Sequence, residues 1–276
     1  NGQGHLQDAI QSLRRHTTGP VELIVVDNGS TDASLPWLRA QNDVVLLEIG
    51  ENIGAPAGRN RGLEVARGDS VLFCDNDIVF TPRWRELMLA HLDAWPDVGA
   101  VGPMSDVVVG DQLVDHEPGP SADIAEWSSA WTRAHADQSQ WVLRLILFCV
   151  MMRREAIEEV GGIDPRYGRW GFEDDDLSMR LVRAGWHQRI ARDCFIQHLG
   201  SRTSRSANID YPALLIENWE RFKVRWGLQA DVPYGGEVDL DTVRAQDWDP
   251  TRDYVPFRRE GWRPPTSPLT LIRWGR

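Results

Sequence analysis

Apolar residues return at helical spacing at Leu6, Ile10 and Leu13, which predicts a helix over about 4–16. A β-branched run at 21–26 follows, the pattern of a strand covered on both faces, and it ends in Asp27-Asn28-Gly29-Ser30-Thr31-Asp32. The alternation continues with a helix near 33–40, a strand near 44–49, a helix near 56–67 and the apolar run 71–74. Trp84, Leu87, Met88, Leu92 and Trp95 mark the next helix, with Pro82 at its first turn. Short strands are predicted over 98–115 and a longer one over 142–152. A helix over 154–160 is stopped by Gly161-Gly162. An amphipathic helix over 173–184 is closed by Gly185, and a strand follows near 187–197. Leu214, Leu215, Trp219, Phe222 and Trp226 place a final helix over 211–226. Strands alternating with helices specify βαβ units, an α/β fold with a mostly parallel sheet flanked by helices.

Two segments depart from this rhythm. Residues 116–140 are polar and open on Pro118-Gly119-Pro120-Ser121, which predicts an irregular lid that orders over substrate. Beyond Gly227 the chain is rich in Pro, Gly, Trp and charge, the composition of an extended tail draped on the core or held by a partner. Within it, 269–274 has the pattern of a strand. With 276 residues the chain can bury a substantial core, as one large domain or a domain with a tail.

The net charge of −11, from 41 acidic and 30 basic residues, disfavours a nucleic-acid partner, because phosphate recognition depends on basic surface. Cys74, Cys149 and Cys194 lie in apolar, strand-like runs without metal-type spacing. They read as buried free thiols of a reducing compartment, and the expected location is cytoplasmic. No run approaches the ~18 apolar residues of a membrane span, and no signal peptide is expected.

Candidate chemistry gathers at strand ends. The run at 71–74 delivers Asp75-Asn76-Asp77 to its carboxyl end, where an α/β sheet binds ligands and where hard oxygens suit a divalent cation. The bland reading is a pair of loop-capping aspartates. Asp27 and Asn28 suit a nucleobase edge, while Ser30 or Asp32 suits the cap of the following helix. Asn52-Ile53-Gly54 and Gly58-Arg59-Asn60-Arg61-Gly62 put small residues and a guanidinium at a helix start, a setting for diphosphate oxygens. Glu173 to Asp176 exceed what a helix dipole needs, and mutual repulsion should raise at least one pKa, as a base requires. Trp170, Gly171 and Phe172 just before them offer a face for a sugar ring. His198, at a strand end, is either structural or a further metal ligand.

The order and type of these segments resemble the family 2 glycosyltransferases, inverting enzymes of the GT-A fold, over about residues 1–205. Val26 to Asp32 is similar to the family's first nucleotide-binding motif, and Asn52-Ile53-Gly54 with Arg59-Asn60-Arg61-Gly62 to its second. Asp75-Asn76-Asp77 stands where the metal-binding Asp-x-Asp lies. Gly161-Gly162-Ile163-Asp164 and Glu173 to Arg180 look like the acceptor-side segment. Non-processive, rhamnosyltransferase-like members are the nearest in pattern, since the Gln-x-x-Arg-Trp motif of processive synthases is absent.

The resemblance implies a nucleotide-sugar and metal half over 1–100, an acceptor half over 101–205, and a C-terminal helix and tail over 206–276. It implies donor contacts from Asp27, Asn28, Asn52, Gly54, Arg59, Asn60, Asp75 and Asn76, and acceptor contacts from Trp170, Gly171 and Phe172. Asp75, Asp77 and His198 would hold Mn²⁺ or Mg²⁺, and Asp174, beside Glu173, would be the general base. The partners implied are a nucleoside-diphosphate sugar and an acceptor of unspecified class. Family members open on a strand leading to a base-contacting loop, whereas this sequence opens on Asn1-Gly2; that strand is expected outside it or supplied by another segment. A nucleotidyltransferase, a two-carboxylate glycoside hydrolase and a non-catalytic nucleotide-sugar-binding module are the competing readings.

Overall fold

The computed structural model describes residues 1–119, 122–200, 211–234, 236, 246–263 and 272–273. Helix α1 (Gln3–His16) is followed by β1 (Pro20–Val21) and β2 (Ile24–Asp27). Next come α2 (Ser34–Arg39), β3 (Val45–Glu48), α3 (Ala55–Val65), β4 (Ser70–Cys74) and β5 (Ile78–Val79). Helix α4 (Trp84–Asp93) leads to β6 (Val98–Met104), α5 (Ile124–Ala134), β7 (Ser139–Val142) and β8 (Cys149–Arg153). Then come α6 (Arg154–Val160), α7 (Glu173–Arg183), β9 (His187–Phe195) and β10 (Gln197–His198). Helices α8 (Tyr211–Trp226) and α9 (Pro250–Asp253) and the short β11 (Ile272–Arg273) complete the described elements.

Strands β2 and β3 pair in parallel, with Asp27 opposite Glu48 at their carboxyl ends. The larger sheet runs β4-β8-β6-β9-β7. Only β6 and β9 are parallel there; β8 runs against both β4 and β6, and β7 against β9. The architecture is the expected α/β one, but this sheet is mixed. The reason is local: β8 is followed at once by α6, and it enters the sheet between β4 and β6 from the opposite end. Every residue of β6 is buried, with Ala100 and Met104 facing one core cluster and Val98 and Val101 the other. Such a strand must be apolar on both faces, which is why it shows no alternation.

Within the segment expected to be an irregular lid, Ile124–Ala134 forms a helix, α5. Asp123 accepts from the backbone N–H of Ala125 and Glu126 and so caps α5. Ile124, Trp127 and Trp131 then recur along one face and pack against the sheet. Trp131 is 7% exposed and its indole N–H donates to the Arg192 carbonyl of β9 at 2.7 Å. Polar residues on the outer face masked this stripe in the sequence. Around it, Ser139–Val142 and Cys149–Arg153 replace the single strand foreseen over 142–152.

The described part of the tail lies on the core. Val255 and Phe257 are each 5% exposed, and Asp253 is fully buried against Arg183 Nη1 at 2.9 Å. Ile272–Arg273 pairs antiparallel with β1, while the rest of the foreseen 269–274 strand and the 205 boundary lie outside the described residues. Cys149 and Cys194 are buried as expected, whereas Cys74, the last residue of β4, is exposed.

Candidate active site

Asp75 follows the last residue of β4, where the Asp75 N–H still donates to the Phe148 carbonyl at 2.8 Å. The chain turns through exposed Asn76, buries Asp77 and enters β5. Strand β10 runs antiparallel to β5 with His198 opposite Ile78, and the Leu199 N–H donates to the Asp77 carbonyl at 2.8 Å. This small ladder carries a residue 121 positions away onto the Asp-x-Asp turn. One ligand atom from each of Asp75, Asp77 and His198 lies within 4.8 Å of the others, and His198 Nε2 is 3.3 Å from Asp77 Oδ1.

The surroundings of this triad fit a cation. His198 Nδ1 lies 2.6 Å from the Val107 carbonyl. That oxygen can only accept, so the Nδ1 proton faces it and Nε2 turns toward the carboxylates, holding a proton toward Asp77 without a cation and offering its lone pair when one binds. Burial works to lower the imidazole pKa, and the Asp77 hydrogen bond and charge outweigh it, leaving it raised. Burial likewise pushes Asp77 up, and His198 overrides it, holding the carboxyl below its ordinary value. Asp75 goes the other way: removal from water raises it, and Arg59 offsets this only in part. Its side chain keeps 35% of its surface. Two carboxylates and an imidazole suit Mn²⁺, and the unmet demand at Asp75 is for positive charge.

Arg59, on the first turns of α3, joins the two carboxylate clusters. Its Nη2 lies 2.7 Å from Asp75 Oδ1 and 3.1 Å from the Leu147 carbonyl, and its Nη1 lies 3.5 Å from Glu173 Oε1. The guanidinium bridges Asp75 and the acidic helix. Asn60 is likewise engaged. Its Nδ2 donates to the Ile163 carbonyl at 2.7 Å and its Oδ1 accepts from the Ile163 N–H at 2.8 Å, so the amide ties α3 to the Gly161–Asp164 turn inside the protein.

The four acids of α7 divide by environment. Asp176 is fully buried between Arg180 Nε (2.8 Å) and Arg225 Nε (3.3 Å), a structural role. Asp175 pairs with Arg144 at 3.1 Å, and burial, reinforced by Asp174, raises it well above the usual carboxylate range. Glu173 is 5% exposed; burial first and the Asp174 charge second push it up to about 7, with Arg59 opposing. Asp174 is half-buried, and its carboxylate accepts from the Asp175 N–H and is hydrogen-bonded to the Asp175 side chain. Among the described residues it is the acid of the cluster held by no ion pair.

At the end of β2, Asp27 is buried and its Oδ2 accepts from the Ser30 N–H at 3.1 Å. Asn28 donates to the Gly54 carbonyl at 3.1 Å and accepts from the Ile53 N–H at 3.0 Å, while exposed Asn52 accepts from the Gly54 N–H. These side chains shape the loop that opens α3. Gly54 has φ 91°, and a Cβ there would fall 2.1 Å from the Gly168 carbonyl, so only glycine lets this loop touch the acceptor segment. On that segment Trp170 is half-buried. Phe172 is not an open platform: its ring lies 5.4 Å from Trp219 and 5.6 Å from Phe222, in a cluster built by α8.

Several residues of the site carry no legible signal in the sequence. Phe148 stacks on His198 at 5.3 Å, Asp106 accepts from the His198 N–H, and Arg144 and Asn218 reach the acceptor side from distant elements.

This fold is that of the GT-A glycosyltransferases. The family model for glycosyl transferase family 2 matches residues 1–161, and that for the N-terminal domain of galactosyltransferase matches 144–203. The chain belongs to glycosyltransferase family 2. It is 30% identical over 210 residues to an N-acetylglucosaminyl-diphospho-decaprenol L-rhamnosyltransferase of Mycobacterium tuberculosis, covering 66% of this chain and 67% of that one. A glucosyl-dolichyl phosphate glucuronosyltransferase of Haloferax volcanii is 29% identical over 171 residues, 59% of this chain and 52% of that one. Among solved structures, the Pyrobaculum calidifontis mannosyltransferase PcManGT with GDP-Man and Mn²⁺ superposes with TM-score 0.59 at 19% identity, covering 88% of this chain and 66% of that one. GalNAc-T7 with UDP, GalNAc and Mn²⁺ gives TM-score 0.59 at 17% identity, with 81% of this chain and 46% of that one covered. The chain thus spans about two thirds of the mycobacterial relative and under half of GalNAc-T7. No described helix is long and apolar enough to cross a membrane.

Proposed function

We propose that the protein moves a sugar, a hexose or deoxyhexose, from a nucleoside-diphosphate donor to an acceptor nucleophile with inversion at the anomeric carbon. Asp75, Asp77 and His198 would hold Mn²⁺ or Mg²⁺, whose Lewis acidity serves charge developing on a leaving diphosphate. Asp174 takes the acceptor proton as the nucleophile attacks the face opposite the leaving group. A single displacement of this kind inverts configuration. Glu173 and Arg59 hold the start of α7 against the floor of the cleft, and Asn28 and Asn52 hold the loop beside the donor.

The observation that carries this reading is the double contact of Arg59, 2.7 Å to Asp75 and 3.5 Å to Glu173. It sets the cation ligands and the acidic helix on the two sides of one guanidinium. The donor chemistry follows by analogy with PcManGT and GalNAc-T7, whose structures contain GDP-Man or UDP together with Mn²⁺. The rhamnosyltransferase name of the mycobacterial relative puts a deoxyhexose among the donors to try first. The test is a thermal-shift screen of UDP-, GDP- and dTDP-linked sugars with and without Mn²⁺, followed by NMR of the product's anomeric centre. Cation-dependent stabilisation and an inverted product are expected. Stabilisation indifferent to Mn²⁺, or retained configuration, contradicts the proposal.

A further inference from the structure

The acceptor segment just before α7 is an improbable piece of backbone. Gly168, Gly171 and Phe172 all have positive φ, at 69°, 99° and 70°, and for Phe172 this is a left-handed conformation that costs free energy. The carbonyls of Tyr167, Trp170 and Gly171 all turn inward toward one point. Three converging carbonyl dipoles in a buried place are unfavourable without donors. The point is filled by a side chain from outside the segment. Asn218, on α8, is fully buried and its Nδ2 lies 2.9, 3.0 and 3.1 Å from those three oxygens. A carboxamide carries two N–H bonds, so one of the three contacts is shared. Its Oδ1 accepts from Arg221 Nη1 at 3.1 Å, and the same Nη1 donates to the Arg166 carbonyl at 2.9 Å. Helix α8 also presses directly on the segment, since a Cβ on Gly171 would meet Leu215 Cδ2 at 2.8 Å.

What this clamp holds reaches the start of α7 and the loop that opens α3. The Gly171 N–H donates to Glu173 Oε2, whose other oxygen faces Arg59. The Arg169 carbonyl accepts from the Ala55 N–H at 2.9 Å, at the loop that opens α3. We infer that Asn218 is a positioning residue for sugar transfer, fixing the 167–172 backbone so that Glu173, Arg59 and the carboxylate of Asp174 keep their places. This rests on the transferase reading above. It also assigns α8, which lies beyond the segments that carry the family motifs, a part in the reaction.

The test uses Asn218→Ala, with Arg221→Ala as a milder variant at a half-exposed side chain and Trp131→Ala as a remote destabilised control. Hydrogen exchange of 167–173, read by mass spectrometry, is expected to accelerate about tenfold or more in Asn218→Ala. A displacement of the acceptor side should lower kcat about 10²-fold. Affinity for UDP or GDP with Mn²⁺ should stay within about twofold, because Asp75, Asp77 and His198 are untouched. Arg221→Ala should move the same readouts in the same direction by less, and Trp131→Ala should leave kcat alone. Unchanged exchange over 167–173, a kcat within about twofold of wild type, or an equal kcat loss in Trp131→Ala would each overturn the inference. Should Asn218→Ala not fold, Arg221→Ala decides alone: unchanged exchange and kcat overturn the clamp. Exchange needs no turnover, so a wild-type protein that transfers no sugar refutes the transferase reading while the exchange result still decides the clamp.

Discussion

Glu173→Gln isolates the energetic strain of the acidic helix. Burial beside Asp174 raises the Glu173 carboxyl from 4.5 to about 7. The sign follows from proton counts: between these values the folded state holds a proton that the unfolded chain has released, so stability falls as pH rises. At about 1.36 kcal/mol per pKa unit, the rise corresponds to about 3 kcal/mol lost between pH 4.5 and 7. Glutamine keeps the shape and an acceptor for the Gly171 N–H but has no charge to bury. Urea unfolding at a series of pH values should therefore show the variant and wild type nearly equal near pH 4.5. Above pH 7 the variant should be more stable by about 3 kcal/mol, a melting-point gain of about 6–12 °C for a domain of this size. Turnover should fall in the variant, since the Arg59 bridge loses a charged partner. A stability difference that is flat with pH, or that favours wild type at high pH, refutes the assignment of strain to Glu173.

Two further outcomes test neighbouring parts of the account. Asp77→Ala removes one cation ligand and the partner of His198, and calorimetry with UDP or GDP should show Mn²⁺-dependent binding lost while binding without metal is unchanged. Trp131→Ala, at a core position of α5, should cost about 3–5 kcal/mol in urea unfolding yet leave kcat near wild type; a kcat collapse with little loss of stability would make 124–134 the lid expected from the sequence.

The sequence reveals the strand-borne parts of the site best. An apolar run ending in Asp75-Asn76-Asp77, and acids opening an amphipathic helix, are local signals, and Arg59 contacts both. His198 was legible as a residue at a strand end, but its place beside Asp77 depends on the β5–β10 pairing, which no local pattern encodes. Arg59 and Asn60 were noticed for their loop, but not for the contacts they make. Their partners, Asp75, Glu173 and Ile163, lie 16, 114 and 103 positions away. Helix α5 was hidden because its buried stripe is narrow, set by Trp127 and Trp131 among polar neighbours. Asn218 gives no sign at all in sequence, since its three acceptors are backbone carbonyls whose convergence exists only after folding.

The central claim is the division of labour across the cleft, with Asp75, Asp77 and His198 for the donor and Asp174 for the acceptor proton. Asp174→Asn tests it most directly, by pairing calorimetry of a nucleoside diphosphate with Mn²⁺ against turnover of the sugar donor found in the screen. The account predicts unchanged cation-dependent binding with turnover lower by about 10²- to 10⁴-fold, the usual worth of a general base. Turnover kept within a few-fold, or binding lost in step with turnover, would contradict it.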